Sequence, residues 1–315
     1  MLFRMRSDAA LAPPRLLAGA LAVAALLAAA PALACSVCGC GDPLLTSSDP
    51  AAIAGRLRLQ LDTEYLRMDA GNEADPSLTD RLTQWTVRLN VVYRPTDALS
   101  LTATLPFVSK DLRTVGGAST PASDATGLGD VEIAARYALW RDVHLGIGRV
   151  QELAITAGTS TPTGPNDVRS GGERIDEHGQ PGTGAWGPFA GLAYRFEQGR
   201  WVAFGSLSGR VHSENGYGYR YGSAALWSIH GQYFPAKRVA LDLGLDGRYA
   251  ATDRDSGGAV PNTGGTVLAV APGAYLNVAG GAWVFLRGQI PVYKHFVGAQ
   301  DQLPSVVTGV QYQLW

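Results

Sequence analysis

The chain has 315 residues, with 26 Lys and Arg against 27 Asp and Glu, and no basic block that would recommend a nucleic-acid partner. Hydrophobic residues make up 46% of it, yet after Ala34 they never form a run long enough for a membrane helix. Thirty-nine glycines without a collagen period, and few helix-forming runs, point to an all-β body.

At the N-terminus, Arg4, Arg6 and Arg15 precede an Ala/Leu run from Leu16 to Ala30, and Ala32-Leu33-Ala34 follows. A basic region, an apolar region and a small-residue A-x-A site, in that order, describe a cleaved secretory signal. A transmembrane anchor is the competing reading, but alanine is weakly hydrophobic and Pro31 breaks the run. Residues 1–34 are therefore expected to be removed, leaving Cys35 first.

Residues 35–54 form a short tail that holds all three cysteines, Cys35, Cys38 and Cys40. The C-x-x-C-x-C spacing lacks the histidine of a c-type haem site. Three fates stay open. Two of the thiols could pair as a disulfide in an oxidising compartment. The three could bind a soft ion such as Cu(I) or Zn²⁺, with Gly39 and Gly41 letting the backbone curl, although three ligands leave a tetrahedral zinc site incomplete. Cys35 could also carry a lipid, since Ala32-Leu33-Ala34-Cys35 resembles a bacterial lipobox.

From residue 55 onward the pattern has period 2. In Arg56–Tyr65, Arg56, Arg58, Gln60, Asp62 and Glu64 alternate with Leu57, Leu59, Leu61, Thr63 and Tyr65. Similar alternation predicts strands over 55–67, 82–93, 99–108, 128–139, 150–161, 184–196, 201–212, 220–234, 239–250, 266–278, 282–293 and 303–314. Each has about the length of a tilted membrane strand. The connections alternate too. Short ones fall at 94–98, 197–200, 235–238 and 279–281, and long polar ones at 69–80, 109–127, 163–183, 213–219, 251–265 and 294–302. A stretch at 141–149 reads as turn or strand.

Short turns at one end and long loops at the other are the signature of an outer-membrane barrel, whereas a secreted sandwich or propeller has no reason to alternate turn lengths. Aromatic residues lie near predicted strand ends. Tyr93, Trp140, Phe196, Trp201, Tyr233 and Trp283 fall by the short turns, and Tyr65, Trp85, Tyr221 and Tyr249 toward the long loops, as two interfacial belts would require. The closing "TGVQYQLW" has its terminal Trp315 one position out of phase with Val310, Tyr312 and Leu314. The expected fold is an antiparallel up-and-down barrel of about twelve strands over residues 55–315, exported to a bacterial outer membrane.

Three stretches, "TGLGDVEIAARYAL" (126–139), "ITAGTSTPTG" (155–164) and "VAPGAYLNVAGGAWVFLRGQIPVYKHFVGAQ" (270–300), resemble outer-membrane proteins of the "MetA-pathway of phenol degradation" type. The resemblance implies a barrel that passes small, often apolar or aromatic, compounds and carries no established catalytic residues. The cysteine tail lies outside that pattern. It leaves a second reading open, a barrel whose tail binds metal, acts in redox chemistry or docks a periplasmic partner.

On this register the lumen wall carries Arg56, Arg58, Arg88, Arg136, Arg210, Arg248 and Arg287, with Asp62, Glu64, Asp130, Glu132, Asp242 and Asp246. Charge belongs there because an Arg or Lys on the lipid face at mid-depth costs roughly 2–4 kcal/mol. The signs nearly balance, which favours pairs that brace the wall over a selectivity ring of one sign. The loop 167–182 is expected to lie solvated outside the barrel rather than to fold inward. An enzyme is not expected. His212 with Ser213, and Ser228 with His230, are the nearest Ser–His pairs, no G-x-S-x-G occurs, and His144, His178 and His295 show no H-x-x-x-H spacing. The expected partners are membrane lipid and a small solute.

Overall fold

A computed structural model describes residues 56–71, 77–116 and 123–314. The expected signal peptide, the cysteine tail with Cys35, Cys38 and Cys40, and Trp315 lie outside the described residues, as do parts of the first two long loops.

Twelve antiparallel strands form the wall: β1 (Leu57–Gly71), β2 (Thr79–Tyr93), β3 (Leu99–Val115), β4 (Glu132–His144), β5 (Arg149–Ser160), β6 (Gly187–Gln198), β7 (Trp201–Arg210), β8 (Ala224–Ala236), β9 (Val239–Ala250), β10 (Gly265–Ala279), β11 (Ala282–Phe296) and β12 (Ser305–Leu314). Each pairs with its chain neighbours, and β1 pairs with both β2 and β12, so the sheet closes. Closure leaves no strand edge with unpaired backbone groups, the condition for a β-structure to exist in lipid. Two short pieces, Ser123–Leu128 on β3 and Gln300–Gln302 on β1, lengthen the wall at the long-loop end. The uncertain stretch 141–149 resolves into the end of β4, a 3₁₀ turn at Leu145–Ile147 and the start of β5. Gly148 in that turn has φ +58°, the left-handed region that glycine enters without strain.

The period-2 alternation has its structural counterpart in burial. On β1, Arg58, Gln60, Asp62 and Glu64 are buried while Leu59 and Leu61 are exposed. Across the barrel, Ile133, Leu192, Leu207, Ile229, Leu243 and Val310 lie on the outside. This inverts a soluble protein and suits a wall with lipid outside and polar groups within. Outer aromatic pairs sit toward both ends: Trp201 and Tyr233 have ring centroids 4.6 Å apart, and Tyr65 and Trp85 4.9 Å.

Two residues of the expected belts are elsewhere. Tyr221 is buried in a long loop that turns inward, and Trp283 packs against an interior apolar cluster. Beyond Tyr65 and Trp85 the outer face of β1–β3 changes character, because Arg81 holds Asp69 through two bonds of 2.9 and 3.0 Å and Arg113 holds Asp111. Charges at that level on the outer face put the tops of these three long strands above the apolar zone.

Candidate functional site: the barrel interior and its mouth

The interior is lined by ion pairs and hydrogen bonds between strands and is covered by loops at its long-loop end. At mid-height of β1 and β2, Arg88 Nε donates to Asp62 at 2.8 Å and its Nη1 to Glu64 at 2.6 Å, while Asn90 and Gln60 donate to the second Asp62 oxygen at 2.8 and 3.0 Å. Arg136 pairs with Glu152 at 2.6 Å on β4 and β5. Arg210 of β7 pairs with Glu132 of β4, although β5 and β6 lie between those strands. That pair spans the interior, and the Arg210 guanidinium also stands 4.8 Å over the Phe189 ring of β6.

On the β8–β9 part of the wall, His230 of β8 occupies a cradle made by one inward row of β9. Its Nδ1 lies 2.9 Å from Asp242 and its Nε2 2.8 Å from Asp246. Gly244, between those two aspartates on the row, is the residue that admits the ring: a Cβ there would come within 2.2 Å of His230 Nδ1. Phe204 stacks on the imidazole at 4.9 Å and 4°. Gln289 donates to Asp246 at 2.9 Å, and Arg287 lies 3.7 Å from it.

Of the remaining residues expected to line the lumen, Arg58 is buried inside and Arg248 is half-buried, whereas Arg56 is exposed ahead of β1. No Ser–His dyad arises at the two candidate places. Ser228 Oγ bonds Ser206 at 2.7 Å, both His230 nitrogens are taken by carboxylates, and His212 Nδ1 meets the Gly222 carbonyl at 3.1 Å. Burial, assisted by the Arg210 charge, lowers the His212 pKa to about 4 and keeps the ring neutral.

At the long-loop end the expectation for 167–182 fails: the loop turns into the mouth. Ile175, Glu177 and Gln180 are buried, and Lys110 of β3, which faces inward, donates to the His178 and Gln180 carbonyls at 3.0 and 2.8 Å. The physical reason is a pair of anchors. Asp130 accepts from Gly164 N at 2.9 Å with one oxygen, and from Thr183 N and Oγ1 at 2.8 and 2.5 Å with the other. It thereby ties together the outgoing and returning arms of the loop. Those arms run so close that a Cβ on Gly182 would lie 2.4 Å from the Gly164 carbonyl. The Gly-Asp of "TGLGD" and the Thr-Gly of "STPTG" are thus two halves of one clamp.

The second anchor is Asp253, fully buried in the loop after β9. It accepts from Gly222 N at 2.7 Å and Tyr219 Oη at 2.7 Å, and lies 3.1 Å from His178 Nε2. One carboxylate therefore joins three loops. Burial pushes its pKa up, but the His178 hydrogen bond and charge, with the Tyr219 and Gly222 bonds, outweigh this and hold it below the ordinary 3.8. Beneath the latch, Tyr219 and Tyr221 close an apolar patch with the inward Leu66, Met68 and Leu82. Arg174 braces the lid from within, pairing with Glu177 at 2.7 Å and covering the Tyr217 ring at 3.8 Å.

Sequence alternation had placed Asp242, Asp246 and His230 on the inward phase, but neither the Gly244 space nor the Asp253 latch has a local signal. Both depend on partners that meet only after the sheet closes.

One comparison with a solved structure agrees on the fold. An outer membrane channel from Pseudomonas putida F1 aligns with TM-score 0.62 at 15% identity, covering 82% of this chain and 95% of that one. The translocator domain of the autotransporter NalP from Neisseria meningitidis aligns at 0.46 and 13%, covering 82% and 88%. The CymD monoaromatic hydrocarbon channel aligns at 0.43 and 9%, covering 89% and 94%. No curated protein matches the sequence. With its apolar outside, polar inside and closed sheet, the protein is an outer-membrane β-barrel. The profile of one family matches residues 68–292, most of the wall and all of its clamp, and the chain belongs to that family, "MetA-pathway of phenol degradation".

Proposed function

We propose that the barrel is a passive channel for small solutes, apolar or aromatic ones among them, that enter beneath the loop lid and leave at the short-turn end. The observation that carries this is the polar interior, sealed from lipid by a closed wall and braced by ion pairs of both signs. A rigid wall with a near-balanced charge does not select by sign, and side chains meeting across the interior restrict passage to small molecules. The apolar patch under Tyr219 and Tyr221 supports a mouth that accepts apolar groups. Single-channel recording of the purified barrel in planar bilayers, together with solute flux into liposomes, tests the reading. Small discrete conductance and flux of small uncharged solutes are expected. A barrel that folds and inserts yet passes neither ions nor solutes overturns it.

A further inference from the structure

The outer face of β7–β9 changes in a fixed order toward the short turns. Leu207, Ile229 and Leu243 are exposed along its middle, and nearer the turns Trp201, Tyr233 and Leu241 stand in one cross-strand row. Beyond that row come cations. Arg200 directly precedes Trp201, Lys237 and Arg238 make the turn between β8 and β9, and all three are exposed. Arg200 Nη1 donates to the Pro235 carbonyl at 3.3 Å, and its own carbonyl accepts from Phe234 N at 2.9 Å, which sets the two turns side by side.

Toward the long-loop end, Arg81, Arg113 and Lys294 each hold a carboxylate. Among the described residues, Arg200, Lys237 and Arg238 hold none, and the one acid on their two turns, Glu197, is taken by Arg195 at 2.6 Å. The sign extends to the whole short-turn end. Its connecting stretches carry Arg94, Arg141 and Arg149 besides these three cations, against Asp97, Asp142 and Glu197. An apolar wall, then amphipathic rings, then cations without carboxylates matches in order the acyl chains, the interfacial layer and a negative headgroup. A free phosphate would meet the cations but leave Trp201 and Leu241 uncovered, and a zwitterionic headgroup would bring its own ammonium against Lys and Arg. We propose that Arg200, Lys237 and Arg238, with Trp201 and Tyr233, form a contact site for an anionic phospholipid of the leaflet facing the short turns, the cations holding its phosphodiester and Leu207, Ile229 and Leu241 its acyl chains. The site goes beyond the channel reading and is independent of it, since a barrel with no open path would present the same surface.

The test uses the full folded barrel in micelles of an uncharged detergent, titrated with phosphatidylglycerol or phosphatidylcholine brominated on the acyl chains. Bromine quenches tryptophan on contact, and Trp201 is the local reporter. The unsubstituted barrel is expected to be quenched at lower mole fractions of phosphatidylglycerol than of phosphatidylcholine, and high salt is expected to collapse that preference. Removing the three cations together, Arg200→Gln with Lys237→Gln and Arg238→Gln, is expected to reduce the preference about tenfold or more, since one Lys or Arg near an anionic lipid surface is worth roughly fivefold in affinity. Trp201→Phe is expected to remove the lipid-specific part of the quench. Arg169→Gln with Arg220→Gln and Arg254→Gln takes three exposed cations from the long-loop end and is expected to leave the preference intact. Heat-modifiable migration verifies folding, and should the short-turn variant not fold, the salt dependence and Trp201→Phe carry the test on their own. Equal quenching by the two lipids in the unsubstituted barrel overturns the site. So does a preference that survives high salt, the short-turn substitutions or Trp201→Phe, or one that falls equally in both triple variants.

Discussion

Arg88 holds two carboxylates on the neighbouring strand, and its removal would leave Asp62 and Glu64 as adjacent buried negative charges. Breaking a buried pair from one side costs about 3–5 kcal/mol. Arg88→Met is therefore expected to lower barrel stability by about that amount in urea titrations followed by tryptophan fluorescence, with Glu64→Gln added to it restoring part of the loss. Equal stability of Arg88→Met and the unsubstituted protein would show that the interior is wet enough to screen these charges. Alternation alone placed Arg88, Asp62 and Glu64 inside, since a period of two assigns a face to every residue of a strand. Which arginine meets which carboxylate was not legible. Glu132 and Arg210 are 78 positions apart and on strands that do not touch.

The strands and turns were largely readable, and the loops were not. The expected strand at 55–67 extends to Gly71, and that at 99–108 to Val115, because both continue above the apolar zone. There the outer face turns polar at Asp69, Asp111 and Arg113 while Met68 and Leu112 face inward, so the apolar-outside pattern that marks a membrane strand no longer holds. The loop lid depends on Asp253, whose depressed pKa gives its contribution a definite sign. The latch is fully formed above the ordinary carboxylate value of 3.8 and is lost as pH falls through the lower folded value. As the pH falls below 3.8 the lid is expected to loosen, raising conductance and exposing residues 167–182 to an acid-active protease. Asp253→Asn, which keeps the size but lacks the charge, is expected to show the loosened state already at neutral pH and to flatten the pH dependence. An unaltered pH profile in that variant would remove Asp253 from the latch.

At the scale of the whole molecule, the apolar exterior decides where the protein can exist. Ile229, 69% exposed on the outer face of β8, is expected to sit in hydrocarbon. Ile229→Arg is predicted to cost about 2–4 kcal/mol of folding free energy in lipid vesicles if it lies near mid-depth. A cost near zero would place that level outside the bilayer. The wall, its sidedness and its inward charges follow from sequence alone, because alternation and turn length are local properties of a strand and its connection. Only the closed tertiary structure decided what those charges do and that the loop 167–182 covers the mouth. His178 and Asp253, 75 positions apart, meet because closure of the sheet brings their loops over one opening.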